Sequence, residues 1–450
     1  MKVAFHTLGC KVNQYESEAM AGNFKAEGYE VVGEKDFADV YIINTCTVTA
    51  VADKKSRQYI RRMKKVNPDS IIAVTGCYAQ IQPEEVAAVE GVDIVTGTNE
   101  KHCLTDYVAE FMKNKQKQLH IKGYEELDSY EDVGAVDSAE NRTRAYIKIQ
   151  EGCNRFCSYC VIPYARGKVR SRSFDDILEE AKKLVGAGYK EIVLTGINTA
   201  LYDMENAPDG MQKADGSTEK LYGIEKVIAA LDALEGDFRI RLSSLEPAVV
   251  NAEYVKRLLK YDKLCHHLHL SAQSGSSKVL KAMNRPYDRD EYLEIVKVLR
   301  ENDPYYGIST DIIVGFPGEK DADFDDSCRL VEEAAFCKVH IFKYSKRPFT
   351  KAAEMKEHVA PQIKNIRSES LHKVSKKTAG DFFRSCSGRR EKVLFEELIP
   401  SKKMITGFAD NYTRVYVKYD DEAAAEKLIN EFATVKMGQP FEEGMTAELI

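Results

Sequence analysis

Hydrophobic positions in the first hundred residues come in short unbroken runs, not in alternation. Val3–Gly9, Val40–Thr45, Ile71–Gly76 and Ile94–Gly97 each read as a buried strand, with helix-like segments at about 13–27, 48–66 and 83–90. β-Branched runs alternating with helices predict a doubly wound parallel α/β sheet covered on both faces. Ligands of such sheets collect at the carboxyl ends of the strands. From residue 144 the alternation resumes with six strand-like runs, at 144–149, 191–198, 238–247, 266–275, 307–319 and 338–345. Helical spacing lies between them at about 174–188, 221–235, 252–260, 289–302 and 321–336. Six β/α units are too few to close an eight-stranded barrel, so an open (β/α)6 partial barrel is expected. From about Gly388 the pattern turns to short strands, at 392–396, 404–408, 413–418 and 446–450.

Composition narrows this picture. A chain of 450 residues suggests about three domains at roughly 100–200 residues each. It is 44% hydrophobic and 30% charged, enough apolar content for real cores and too much for a disordered chain. No run approaches the roughly 18 apolar residues of a membrane span, and Met1–His6 starts a strand pattern without signal-peptide architecture. A membrane protein, a secreted precursor and a fibrous repeat are excluded, and a cytoplasmic location is expected. The 65 basic and 71 acidic residues give a net charge of −6, which excludes a uniformly basic nucleic-acid binder. Phosphate binding depends on local patches, however. Lys54–Lys65 carries 7 basic and no acidic residues, Arg142–Arg172 carries 8 and 1, and Lys364–Lys392 carries 9 and 3. Solvated helix faces explain the first most simply, whereas the second flanks the expected active site. Glu125–Glu140 holds 7 acidic and no basic residues and reads as a mobile linker.

Cysteine is the informative residue. Eleven are present, an odd number in a chain without a secretion signal, which favours ligands or catalysts over disulfides. Cys10, Cys46 and Cys77 each end a predicted strand of the first domain, so the three converge on one sheet edge. Three thiolates suit an iron–sulfur cluster with one open iron, or zinc with one open position. Cys153, Cys157 and Cys160 lie within eight residues, on the loop after the 144–149 strand. A closed structural zinc site needs a fourth ligand, and no His and no further Cys lies between 144 and 175. Cys103, Cys265, Cys328, Cys337 and Cys386 have no partner spacing and read as packing thiols. Polar or turn residues mark the carboxyl ends of the barrel strands, where β/α barrels place chemistry: Gly196, Asn198, Ser244, Glu246, Gln273, Ser274, Asp311 and Gly315. Gly315-Phe316-Pro317-Gly318 is a turn that lets backbone approach a ligand. His266, His267 and His269 alternate across a strand with no acidic third ligand nearby and read as packed strand histidines.

The spacing Cys153-x3-Cys157-x2-Cys160 resembles the signature of the radical S-adenosylmethionine enzymes. That resemblance implies a [4Fe–4S] cluster on the three cysteines, whose unique iron chelates the amino and carboxylate groups of S-adenosylmethionine. It also implies an open six-stranded barrel and an aromatic stacked near the adenine at Tyr159. Contacts to the cofactor are expected from Tyr159, Gly196, Asn198, Ser244, Glu246, Gln273, Asp311 and Gly315. Longer stretches resemble the methylthiotransferases: TLGCKVNQYES at 7–17, INTCTVT at 43–49, TGCYAQ at 75–80, GCNRFCSYCVIPYARG at 152–167 and the run 266–287. Lys11–Ser17 and Tyr164–Gly167 most resemble the branch acting on N6-threonylcarbamoyladenosine. Other branches act on isopentenyladenosine in tRNA and on a ribosomal-protein aspartate.

This second resemblance implies a further [4Fe–4S] cluster on Cys10, Cys46 and Cys77, and methylthiolation at C2 of the adenine at tRNA position 37. One S-adenosylmethionine would donate methyl to sulfur at that cluster, and another would supply the radical. An unactivated aromatic C–H has no usable acid–base chemistry, so cofactor-borne radical chemistry is needed. Implied partners are the anticodon stem-loop of ANN-decoding tRNA bearing the threonylcarbamoyl group, an electron donor such as flavodoxin or ferredoxin, and a sulfur source. No membrane partner is expected. The chain has Ser271-Ala272-Gln273-Ser274-Gly275 and Phe342-Lys343-Tyr344-Ser345 where the family often has a Leu-Gln-Ser-Gly and a Phe-Pro-Tyr-Ser sequence. The C-terminal part resembles a TRAM domain, a small OB-like β-barrel that binds RNA, with Asn411–Val415 matching its hairpin. The expected division is 1–120, an acidic linker 121–140, a barrel 141–375 and a TRAM-like domain 376–450.

Overall fold

The computed structural model describes residues 1–134, 143–204 and 221–450. Six strands form the first sheet: β1 (Lys2–Thr7), β2 (Glu30–Val32), β3 (Val40–Thr45), β4 (Ile71–Gly76), β5 (Ile94–Thr96) and β6 (Gln118–His120). They run in the order β2-β1-β3-β4-β5-β6 and are parallel throughout. Every residue of β3 and β4 is buried, which is why both appear in the sequence as unbroken apolar runs. The edge strands β2 and β6 have three residues each, too few to carry a period, and the sequence pattern does not predict them.

The central region adds β7 (Arg144–Glu151), β8 (Arg170–Ser171), β9 (Glu191–Gly196), β10 (Arg239–Leu242), β11 (His267–His269), β12 (Gly307–Val314) and β13 (Lys338–Lys343). Parallel bridges at Ile240–Leu264 and Leu245–Leu270 join its two sheets. The result is one parallel arc, β7-β9-β10-β11-β12-β13, with the short β8 antiparallel to β7. Helices Phe174–Gly186, Gly223–Asp232, Ala252–Leu258, Arg289–Asn302 and Asp321–Ala334 fall between successive strands. The run expected as a strand over 266–275 keeps only three strand residues. Beyond them the chain turns, and Gln273 takes a left-handed φ of 67°.

The C-terminal strands β14 (Arg390–Ile399), β15 (Met404–Ala409), β16 (Arg414–Lys418), β17 (Phe432–Phe441) and β18 (Gly444–Leu449) close into a five-stranded barrel, β14-β15-β16-β18-β17. Strand β17 is absent from the sequence reading. Helix Pro361–Ser385 precedes the barrel and runs unbroken for 25 residues. The boundary expected at 375/376 therefore falls inside a continuous helix, and the barrel itself starts at Arg390.

Three further expectations change. Of the segment read as a mobile linker, residues 135–140 lie outside the described residues, but residues 124–134 are packed. Leu127 is fully buried beneath Gly167, Val133 joins the core under the first sheet, and Tyr130 donates to the Lys148 carbonyl at 3.0 Å. The Asn411–Val415 hairpin faces inward and not toward solvent. Asn411 and Thr413 are buried, and Arg239 and Arg241 donate to the carbonyls of Phe408 and Asp410 at 3.1 and 3.3 Å. The basic run 142–172, whose Arg142 lies outside the described residues, is not a phosphate-facing patch. Lys148, Arg166, Arg170 and Arg172 are buried on carboxylates, because a charge taken out of water needs a partner. The run read as a solvated helix face, Lys54–Lys65, does lie on a helix with Lys54, Lys55, Arg61, Arg62 and Lys65 exposed.

Glu191 shows how these buried charges set stability. It accepts from Arg239 at 2.6 Å and Arg241 at 2.9 Å, and pairs with Arg144 at 3.2 Å; Arg144 in turn pairs with Glu396 of the C-terminal barrel. Burial raises its carboxyl, but the three guanidinium groups overcome this and hold it well below its ordinary value of 4.5. A depressed carboxyl contributes stability that is complete above 4.5 and is lost as pH falls toward the folded-state value. Glu191→Gln leaves three buried cations short of a carboxylate and should cost about 3–5 kcal/mol. Urea unfolding at pH 7 should show this as a lowered midpoint, and the gap from wild type should narrow only below pH 4.5.

Candidate active site: two cysteine triads on one cavity

Three adjacent strands of the first sheet, β1, β3 and β4, deliver Cys10, Cys46 and Cys77. Cys46 follows β3 directly, Cys77 opens the short helix Cys77–Ile81 after β4, and Cys10 caps helix Lys11–Ala26. Gly9 lets the first loop approach the second: with φ at 116°, a Cβ there would lie 2.8 Å from Cys46 Cβ and 3.2 Å from its sulfur. Cys46 and Cys77 are buried and Cys10 is exposed. Burial and the neighbouring Cys77 push the Cys46 thiol up to about 12. Burial also raises Cys77, against the pull of the Arg166 guanidinium beside it.

The second triad hangs on a loop pinned at both ends. Gly152 has φ at 73°, and a Cβ there would lie 1.7 Å from the Lys168 carbonyl, so only glycine allows the close return. Cys153 donates its N–H to Gly167 at 3.1 Å, and Cys160 donates to the Cys157 carbonyl at 2.9 Å. Residues after β11 hold the loop from the other side. Ser158 donates to the Ala282 carbonyl at 2.9 Å, and Asn284 donates to the Phe156 carbonyl at 3.1 Å. Arg285 reaches Cys157 sulfur at 3.3 Å, Glu246 at 2.9 Å and the Ser271 carbonyl at 3.1 Å. Burial, with Cys157 nearby, pushes Cys153 up to about 11 and raises Cys160. Thiols this dry stay protonated until a cation displaces the proton.

A cavity of about 750 Å³ lies between the triads. Cys10, Tyr159, Cys160, Gly196, Ser244, Gln273 and Asp311 line it, so both triads reach one space with five of the expected strand-end and loop residues. Cys46, Cys77, Cys153, Cys157, Asn198 and Glu246 are not among its lining residues. Gly315 is a correction. Its N–H is bound by Glu319 at 2.9 Å, and a Cβ there would strike Lys364 Cγ at 2.4 Å. Its missing side chain admits the long helix, not a ligand.

The donor set fits a polar cofactor. Among the described residues, Glu246 Oε1, Asn198 Oδ1 and Ser243 Oγ are buried at the barrel mouth without a hydrogen-bond partner, a costly state unless a ligand satisfies them. No three His, Cys, Asp or Glu side chains among the described residues gather tightly enough for a single metal ion. Zinc needs thiolate sulfurs about 2.3 Å away.

Several cavity residues escape sequence reasoning because they meet only across strands. His267 and His269 share Ser309 Oγ at 2.9 Å each, and His269 reaches Asp311 at 3.1 Å, the acidic neighbour the linear sequence did not show. Burial raises the Asp311 carboxyl, but His269, His340 and Ser271 hold it below its ordinary value. Burial and Arg241 keep His267 far below its usual value, so it is neutral. Only His266 faces the other way, pairing with Asp303 at 2.9 Å. Tyr412, from the C-terminal hairpin, and Lys11 also line the cavity. Position next to Cys10 and the hairpin motif were their only sequence signals.

This arrangement defines a radical S-adenosylmethionine enzyme. Residues 147–331 match the radical SAM superfamily, and residues 2–97 match the family described as uncharacterized protein family UPF0004. A radical S-adenosylmethionine methyltransferase, TsrM from Kitasatospora setae, shares the fold with a TM-score of 0.55 at 14% identity, over 78% of this chain and 77% of its own. The threonylcarbamoyladenosine tRNA methylthiotransferase MtaB of Bacillus subtilis is 40% identical over 100% of this chain and 97% of its own length. MtaB of Aquifex aeolicus is 38% identical, over 95% and 99%. The tRNA-2-methylthio-N(6)-dimethylallyladenosine synthase of Clostridium botulinum is 36% identical, over 87% and 85%. The chain belongs to the radical S-adenosylmethionine methylthiotransferases, transferases that use S-adenosylmethionine and [4Fe–4S] clusters. No described helix is long and apolar enough to cross a membrane.

Gly152→Ala tests the loop. Alanine at a left-handed φ costs on the order of 1 kcal/mol before any clash. The variant should unfold at lower urea than wild type and be cleaved faster by protease within residues 152–167.

Proposed function

We propose that this protein inserts a methylthio group at C2 of N6-threonylcarbamoyladenosine at position 37 of tRNA. The observation that carries the substrate choice is the charge of the cavity. Lys11, Arg241, Lys338 and Lys343 line it, and among the described residues Asp311 is its only carboxylate. Asp311 is already engaged by His269 and Ser271. Arg241 is spent on Glu191, but Lys11 makes no ion pair among the described residues and points its Nζ to within 6.0 Å of the Tyr146 ring centre. A threonylcarbamoyl group brings a carboxylate that such a cavity welcomes, whereas an isopentenyl group would leave the cation unmatched. The identity to enzymes named for threonylcarbamoyladenosine supports the same reading.

In this reading Cys10, Cys46 and Cys77 hold one cluster, and Cys153, Cys157 and Cys160 hold the other. When bound, the clusters and S-adenosylmethionine supply one-electron chemistry, a radical and a methyl group for sulfur. The chain's own work is to hold these groups and keep water out. Tyr159 and Gly196 wall the cofactor space, while Asn198, Ser243 and Glu246 offer their unpartnered oxygens to its polar end. Arg285 ties Glu246 to Cys157 and so couples cofactor position to the cysteine loop. The reaction also calls for a one-electron donor such as flavodoxin or ferredoxin and for a sulfur source. The organisation is a doubly wound unit, an open (β/α)6 partial barrel and an OB-like TRAM barrel. The cytoplasm is the compartment for oxygen-sensitive clusters and tRNA.

The deciding experiment is nucleoside mass spectrometry of tRNA after incubation with the reconstituted protein, S-adenosylmethionine and a reductant. Conversion of threonylcarbamoyladenosine to its 2-methylthio form is expected, and conversion of isopentenyladenosine alone would sink the assignment. Lys11→Met should raise KM for threonylcarbamoylated tRNA roughly 10-fold or more, the loss of one hydrogen bond to a charged group. Cys153→Ala should abolish S-adenosylmethionine cleavage to 5′-deoxyadenosine. Cys46→Ala should keep part of that cleavage and lose methylthiolation, and equal loss of both would deny the triads separate roles.

A further inference from the structure

Four aromatic rings form a continuous row on the surface beside the cavity mouth. Tyr124 lies 6.5 Å from Phe156, Phe156 lies 5.8 Å from Tyr164, and Tyr164 lies 6.2 Å from Phe349, centre to centre. They come from separate places: the packed strap after the first sheet, the cysteine loop, the short helix Ile162–Arg166 and the loop after β13. Phe156 is 36% exposed, Tyr164 37% and Phe349 65%, unusual for large apolar side chains drawn from three segments to one spot, and the half-buried Tyr124 extends the row.

Backbone geometry shows that this exposure is enforced. Phe156 has φ at 47° and Phe349 at 64°, a region that costs bulky residues on the order of 1 kcal/mol or more each. Asn284 clamps the Phe156 carbonyl at 3.1 Å, and Thr350 clamps the Phe349 turn by donating to the Arg347 carbonyl at 2.8 Å. Strain held in place by neighbours, with the result facing solvent, points to a ligand for the rings.

The charge beside the row says which ligand. Arg347, two residues from Phe349, pairs with Asp53 at 2.7 Å, and Ala50 donates its N–H to Ser345 at 3.4 Å. These contacts seat the Phe349 loop on the start of helix Ala50–Val66, where Lys54 and Lys55 are exposed and no acidic residue follows up to Lys65. Flat apolar faces next to exposed cations are what unpaired nucleotides require: aromatic rings stack the bases while lysines neutralise the phosphates.

We propose that Tyr124, Phe156, Tyr164 and Phe349 form a stacking platform for unpaired bases of the tRNA loop that carries the target adenosine, with the strand's phosphates running onto Lys54 and Lys55. The inference rests on the tRNA reading above and adds where the RNA lies. It places the RNA path along the seam between the cysteine loop and the first domain, beside Val48, Thr49 and Ile162, which line the cavity.

Fluorescence anisotropy with the cluster-loaded full-length protein and a labelled anticodon stem-loop hairpin tests this. Phe349→Leu and Tyr124→Leu keep apolar bulk but remove the ring, and each should weaken hairpin binding about 5-fold or more, the loss of one base–aromatic stack. Phe349→Trp should bind within about 2-fold of wild type. Lys54→Gln with Lys55→Gln should flatten the slope of log affinity against log salt by about 2. Iron content and thermal unfolding check that each variant is folded and loaded. Wild-type affinity in both leucine variants overturns the platform, even if the wild-type enzyme modifies tRNA. Unchanged RNA affinity with slower reduction by flavodoxin overturns it in favour of an electron-donor surface. A wild-type protein that neither binds the hairpin nor modifies tRNA removes the tRNA reading itself.

Discussion

The Arg166 guanidinium holds the molecule's working parts in register. It donates to Glu16 at 2.7 and 3.0 Å, to Glu151 at 2.7 Å and to Asn13 at 2.7 Å, and it lies beside Cys77. Lys148 bridges the same two glutamates at 2.9 Å, and Lys101 ties Glu16 to Glu131 of the strap. All of these side chains are shut away from water. Burying charges is expensive and repaid only by good geometry, so the first domain, the strap and the barrel can meet in essentially one way. That docking brings Cys10 and Cys160 to the same cavity.

The balance of this cluster also bears on the chemistry. Arg166, Lys148, Lys101 and Arg170 face Glu16, Glu151 and Glu131, four cations against three carboxylates. Arg166, one of the four, lies beside Cys77, whose thiol would have to give up its proton to hold the cluster proposed above. A cluster-bound thiolate there would supply the anion that balances the excess cation. Asn13 adds a second tie, accepting from Cys10 sulfur at 3.7 Å while its amide nitrogen donates to the carbonyls of Leu8 and Thr45. One residue thereby spans the ends of β1 and β3.

A second arginine cluster does for the C-terminal barrel what Arg166 does for the first domain. Arg144, Arg239 and Arg241 share Glu191 at the start of β9 and reach out to Glu396, Phe408 and Asp410. The hairpin they grip delivers Tyr412 into the cavity, against the His267 ring at 4.7 Å. A small barrel attached this way is part of the active-site wall and not a free appendage. The open (β/α) arc, which has no strands of its own to close it, takes its missing wall from the domains on either side.

Much of this was legible in the linear sequence. Unbroken apolar runs such as Val40–Thr45 and Ile71–Gly76 identify strands buried on both faces. The strand-end positions of Cys10, Cys46 and Cys77 follow from that period alone, and the Cys153 triad is local enough to be seen without any fold. Those features depend on neighbours in sequence, and local physics suffices for them. Tertiary structure alone decided which charges face solvent. The basic run near the cysteine loop went inside because Glu16 comes from a distant segment to meet Lys148 and Arg166, while on helix Ala50–Val66 Arg57 and Lys64 found Glu85 and Asp93 at the surface and Lys54, Lys55, Arg61, Arg62 and Lys65 stayed exposed. The pairing of His269 with Asp311, the closure of β16 on β18 and the gathering of four aromatics from four segments arise in the same way. Each joins residues far apart in the chain, and a sequence pattern carries no record of such distances until the chain has folded.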